Sequence, residues 1–159
     1  MGTSLFESNL KNLSENTSEK PDNWQLIKKY YDERNVDLLA KELLKVDPTS
    51  RICGAEINTI EAAKSKKWLD LQNLIFLVSD TEAGRETGKV LKKYYERRDD
   101  LRLKNVEVKG VENLQDPSPK KFKTLGLRNL VRVIGNYINQ WGIKNCAIDA
   151  TGGYKAQIA

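Results

Sequence analysis

Apolar positions along the chain alternate between short continuous runs and longer stripes at helical spacing. The clearest run is Leu74-Ile-Phe-Leu-Val78, which predicts a strand over Asn73–Ser79. Its apolar residues are continuous rather than alternating, as in a strand covered on both faces and so in a parallel sheet. A weaker strand is predicted over Asn105–Val111, and a short buried one over 146–149. Stripes of period 3.6 lie around these runs. One begins after Pro21-Asp22 and puts Trp24, Ile27 and Tyr31 on one face. The next starts near Val36, repeats through Leu39, Leu43 and Val46, and is stopped by Asp47-Pro48. A third, over 52–67, buries Ile52, Ala55, Thr59, Ile60 and Ala63. After the first strand a helix turns Val90, Leu91, Tyr94 and Tyr95 inward, with Ser79 and Glu82 at capping-box spacing. The longest stripe runs over 120–141 through Leu127, Leu130, Val131, Ile134, Tyr137, Ile138 and Trp141, and Gly142 ends it. Residues 8–20 are polar and read as a connection, and 114–119 as a proline-containing loop.

Strands separated by amphipathic helices define an α/β fold with a Rossmann-like, largely parallel sheet flanked by helices. The length of 159 residues fits one domain over 1–159. Ligands of such sheets bind beyond the C-terminal ends of the strands, where two glycine-bearing loops fall: Ser79-Asp-Thr-Glu-Ala-Gly84 and Thr151-Gly-Gly153.

The second loop is the chain's most informative junction. Strand 146–149 leads through Thr151-Gly-Gly153 into a helix from Tyr154. Paired glycines allow backbone to approach a ligand closely, and the N–H groups of the following helix turn toward an anion. Lys155 puts a cation in a first helical turn, where the helix dipole favours an acid. That placement is unhelpful to the helix and suited to a phosphate.

Composition narrows the chemistry. Histidine is absent, which removes imidazole acid–base catalysis, His-based triads and most transition-metal sites, so neither a metal nor a cofactor is expected. Cys53 and Cys146 lack CxxC spacing and read as buried thiols. The net charge of +5 suits an anionic ligand but is too small to predict duplex DNA binding. No apolar run reaches membrane length and no signal peptide opens the chain, which predicts a soluble cytoplasmic protein without a membrane partner.

In order, Gly2-Thr-Ser4, Ala55-Glu-Ile-Asn58, Leu77-Val-Ser-Asp-Thr-Glu82, Gly126-Leu-Arg-Asn-Leu130 and Thr151-Gly-Gly-Tyr-Lys-Ala156 resemble the CRISPR-associated Rossmann-fold (CARF) domain. Within it the chain is similar to the branch of ring nucleases and sensor domains of type III CRISPR effector ribonucleases. The likeness spans residues 2–159, and Thr-Gly-Gly-aromatic-Lys-Ala is its most specific element. Family members carry a strand before Gly-Thr-Ser and further elements after Thr-Gly-Gly, so the chain reads as a CARF domain truncated at both ends.

The resemblance implies binding of cyclic oligoadenylate across the two-fold axis of a homodimer, and a functional link to the type III CRISPR effector complex. For ring nucleases it implies metal-independent cleavage of cyclic tetra-adenylate by the ligand's own ribose 2′-OH. Carried onto this chain, Ser4 and Lys155 are the catalytic candidates, and Gly2, Thr3, Asp80, Thr81, Thr151, Gly152 and Gly153 the ligand-binding ones. Each has a plainer alternative. Lys155 also fits an exposed helix lysine, Gly152 and Gly153 a tight turn, Ser4 an N-cap or a disordered terminus, and Asp80 and Thr81 helix capping. Glu56 reads as a solvated or structural acid, Arg128 as solvent-facing, and Lys120-Lys121 with Lys123 as a solvated face. The wider alternatives are a non-catalytic cyclic oligoadenylate sensor and a non-functional gene fragment.

Overall fold

The computed structural model describes residues 4–68, 70–114 and 122–151. Among the described residues lie the α-helices and strands α1 (Trp24–Asp32), α2 (Val36–Leu43), α3 (Gly54–Ser65), β1 (Asn73–Ser79), α4 (Glu82–Glu96), β2 (Asn105–Val111) and α5 (Leu127–Trp141). Wide π-type turns at Ser4–Leu10 and Phe122–Gly126 precede the first and last helices. β1 and β2 pair in parallel from Asn73↔Asn105 to Ser79↔Val111, joined by α4 as a β–α–β unit. This is the mixed α/β, Rossmann-like architecture expected from the pattern.

Alternation along the strands assigns each face of the sheet to a helix. Phe76 stacks on Tyr95 of α4, with ring centroids 5.7 Å apart. A Cβ at Gly88 of α4 would stand 2.6 Å from Val108 and 3.1 Å from Val78. Even-numbered positions therefore face α4. Odd-numbered positions point the other way, where Tyr137 of α5 donates to Glu107 Oε1 at 2.9 Å. The α4 face is dry at Phe76 and Val78, whereas Ile75 and Leu77 are only half-buried. Both faces are covered, as a continuous apolar run predicts, but unequally.

The core lies on the α4 side. Ile27 of α1, Leu39 and Leu43 of α2, Ile57 of α3 and Val90, Leu91, Tyr94 and Tyr95 of α4 are all at most 1% exposed. The segment expected to be a polar connection contributes to it, because Leu10 and Leu13 are buried among its exposed polar neighbours. Burial of these two side chains favours holding the stretch against the core.

Three further expectations change. The helix predicted over 52–67 begins with a 3₁₀ turn at Arg51–Cys53 and becomes α-helical at Gly54, whose φ of +77° breaks the path. Ile57 takes a central core position there, while Ala55 and Thr59 are half-buried. The stripe of α5 is regular, yet no α5 residue is buried and Val131 is 68% exposed. Finally, 146–149 is not a strand: neither described strand pairs with it, and Ile148 is 64% exposed. An extended segment becomes a strand only when a neighbour satisfies its N–H and C=O groups.

Candidate functional site at the C-terminal end of the sheet

The parallel register sends the ends of β1 and β2 out of the same side of the sheet. At the end of β1, Ser79 is 2% exposed and its hydroxyl lies 2.9 Å from that of Thr81. Thr81 caps α4, accepting the Gly84 N–H at 3.1 Å. The cap is therefore Thr81, and the Ser79/Glu82 spacing is not the capping box it resembles. Gly84 is required here by proximity, since a Cβ would fall 2.4 Å from Ser79 Oγ and 2.6 Å from its carbonyl oxygen.

Asp80 joins the two strand ends. Its carboxylate accepts the Asn113 N–H at 3.3 Å, and its carbonyl accepts from the Arg85 guanidinium. Asn113, in the left-handed region at φ 58°, belongs to the turn after β2. The next residue back, Glu112, accepts at its carbonyl from Asn129 of α5 at 3.1 Å. These bonds fix the loop ends relative to each other and to α5. Arg85, exposed in the first turn of α4, adds a cation that motif reading passed over. Its signal was the same as that of Lys155, a basic residue where helix electrostatics favour an acid.

The entry to the Thr-Gly-Gly turn is also built from side chains. Asp149 Oδ1 accepts both the N–H of Thr151, at 2.9 Å, and its hydroxyl, at 2.6 Å. The Thr151 hydroxyl in turn lies 2.8 Å from that of Thr59 on α3. Of the residues expected to form the site, Asp80, Thr81 and Thr151 are thus placed. Gly2, Thr3, Gly152, Gly153 and Lys155 lie outside the described residues, as do the side chains of Ser4 and Lys123 and the whole of Lys120 and Lys121.

Other polar groups serve the fold. Glu56 is 3% exposed, so it is a buried acid rather than a solvated one. Asn58 reaches back to the carbonyl of Ser50 at 3.0 Å, tying α3 to the loop before it. Arg98, after α4, binds both oxygens of Glu61 on α3, at 2.7 and 3.1 Å, and both of Asp100. Burial pushes the Cys53 thiol up to about 12, which leaves it a core residue rather than a nucleophile. Among the described residues no three His, Cys, Asp or Glu side chains gather as a metal site would require. None of their helices is long and apolar enough to cross a membrane.

The strand-end cluster offers hydroxyls, a carboxylate, a guanidinium and the N-terminus of α4. Such a set can hydrogen-bond sugar hydroxyls and hold an anion. Of its hydroxyls, that of Thr81 caps α4 and that of Ser79 lies 2.9 Å from it.

Fold and loop cluster together define an α/β protein whose parallel strands end in one cluster of polar side chains. Residues 51–159, well over half of the chain, match the CRISPR-associated protein family Cas_APE2256, and the chain belongs to that family. No protein of curated function matches it.

Proposed function

We propose that the protein binds cyclic oligoadenylate at the C-terminal end of its sheet and cleaves cyclic tetra-adenylate without a metal. The observation that carries this reading is the parallel register of β1 and β2 in a chain of a CRISPR-associated family. It brings Asp80 and Thr81, at the end of β1, to the face where an α/β sheet takes a nucleotide. The motif order described above supports the choice of ligand.

In the proposed reaction a ribose 2′-oxygen of the ligand attacks the adjacent phosphorus, the P–O5′ bond breaks, and the products end in a 2′,3′-cyclic phosphate and a 5′-hydroxyl. The protein contributes alignment and charge stabilisation. Lys155 stabilises the developing negative charge on the phosphate oxygens, and Ser4 orients the phosphate or the 2′-OH. Gly2, Thr3, Gly152 and Gly153 let backbone close on the ring, Thr151 opens that turn, and Asp80 and Thr81 meet ribose or adenine. Two copies related by a two-fold axis would present the same loops to each half of a symmetric ring, and the protein would act beside a type III CRISPR effector complex.

Incubation of the chain with labelled cyclic tetra-adenylate in a chelator tests both parts. Linear product with a 2′,3′-cyclic phosphate, lost in Lys155→Ala, is the expected result. Stoichiometric binding without product would make the protein a sensor, and absence of binding would end the reading.

A further inference from the structure

At the opposite end of the sheet, where β1 and β2 begin side by side, an exposed aromatic residue stands among cations. α3 ends there in a Schellman turn, in which the Trp68 N–H donates to the Ala63 carbonyl at 3.0 Å and the Lys67 N–H to that of Lys64 at 2.9 Å. Lys67 takes the left-handed position of the turn at φ 55°, where glycine is usual. The apolar residue that follows in such a turn normally packs back on its helix. Trp68 does not: it is 69% exposed, with Lys66 Nζ 4.5 Å from the centroid of its ring. Lysines in a last turn suit the helix dipole, but the dipole gives no reason to hold an indole out in solvent.

A second basic segment adjoins this turn. The ion pair of Lys64 with Asp100 ties α3 to the turn at Asp99–Leu101. Lys104 donates from its N–H to the Gln72 carbonyl at 2.7 Å and from Nζ to Gln72 Oε1 at 2.8 Å, and Gln72 lies between Trp68 and β1. A groove of about 360 Å³ opens between the end of α4 and the start of β2, with Lys92, Asp99, Arg102 and Lys104 in its wall. Glu61, Glu96 and Asp100 are taken up by Arg98, Lys92, Lys93 and Lys64. Among the described residues Lys66, Lys67, Arg102 and Lys104 form no ion pair, and of the acids nearby only Asp70 and Asp99 are likewise unpaired. Positive charge is therefore in surplus around Trp68.

We propose that this end of the molecule is a docking surface for single-stranded RNA. Trp68 stacks on a base by the ring face opposite Lys66, while Lys66, Lys67, Arg102 and Lys104 neutralise phosphates. An unpaired base has a free π-face to offer the indole, whereas a duplex keeps its bases stacked inside. An acidic peptide would answer the cations and leave the indole in water. Asp99 favours RNA over DNA, because a carboxylate beside a phosphate strand needs a donor and the ribose 2′-OH supplies one. The surface lies at the far end of the strands from Asp80 and Thr81 and does not depend on the ligand proposed there.

Titration of the full chain with a linear oligouridylate of about ten nucleotides, followed by fluorescence anisotropy and by indole emission, tests this. Binding that quenches the emission and weakens with salt is expected. Trp68→Ala should lose about five- to a hundredfold in affinity, the value of one stacked base, and Trp68→Phe should lose the quenching but keep most of the affinity. Lys67→Gln and Arg102→Gln should each lower the slope of log affinity against log salt by about 0.7. All three positions are exposed, so the urea midpoint should not move in these variants. Absence of binding, or binding that Trp68→Ala leaves unchanged, would overturn the proposal. Equal affinity for the deoxy strand would overturn the choice of RNA, and retention on phosphatidylserine vesicles without RNA binding would make this face a membrane contact instead.

Discussion

The four helices packed around the α4 face of the sheet and the segment from α5 to Thr151 are built from similarly patterned sequence, yet they are held differently. Leu39, Leu43, Val90 and Leu91 are fully enclosed. In α5 the stripe is at least as regular, but among the described residues its side-chain hydrogen bonds to the sheet region are two, Asn129 to Glu112 and Tyr137 to Glu107, while the Tyr137–Trp141 stack at 5.1 Å lies within the helix. Val131, Ile143 and Ile148 remain exposed. Helical periodicity states which face of a helix is apolar. How much of that face is enclosed depends on what packs against it.

The largest test of this contrast compares truncations. Leu91→Ala, in the enclosed region, should cost about 2–5 kcal/mol in urea unfolding, whereas Val131→Ala should stay within about 0.5 kcal/mol. Equal losses would show that α5 carries as much of the fold as α4. Next comes the polar clamp of the first region. Arg98→Met leaves Glu61, 9% exposed, without its bidentate partner, and should cost about 3 kcal/mol. Arg98, and secondarily Lys64, hold Asp100 below its ordinary value of 3.8 against the opposing effect of burial. A carboxyl lowered in the folded state contributes stability above that ordinary value and loses it as the pH falls below it. Arg98→Met should therefore flatten the acid limb of stability against pH, and an unaltered limb would remove Asp100 from the clamp.

Smaller effects probe the joints. Gly84→Ala forces a Cβ onto Ser79 and should cost about 1–3 kcal/mol while loosening the Thr81 cap, visible as faster amide exchange at Gly84. Tyr137→Phe removes the bond to Glu107 and should cost about 1 kcal/mol. If α5 is held chiefly by such contacts, that variant should also raise protease sensitivity near 141–146 before global unfolding. Uniform sensitivity would erase the distinction between the two regions.

Where an element is decided by its own residues, the sequence was a sufficient guide. Asn73–Ser79 and Asn105–Val111 are strands with the expected ends, and the four residues predicted to point inward from α4 do so. Decisions that depend on distant neighbours were not legible. Strand 146–149 requires a pairing edge, the α5 stripe a covering layer, and Leu10 and Leu13 a core to enter. The strand-end site was legible in part. Thr81 is a motif residue, but its capping role is local chemistry, and Asp80 is defined by a bond to Asn113, 33 residues away. Thr59 looked like packing because nothing in α3 itself reveals Thr151 opposite.

That contact bears on the order in which the molecule assembles. Closing a loop of 92 residues costs entropy that grows with the logarithm of its length, and one hydrogen bond, at about 1 kcal/mol, cannot meet that cost alone. β1 and β2 must first pair, and α5 must dock by Asn129 and Tyr137, before Thr151 comes within reach of α3. The Thr59–Thr151 bond is thus expected to form late in folding, after the long-range contacts that bring α3 and Thr151 together.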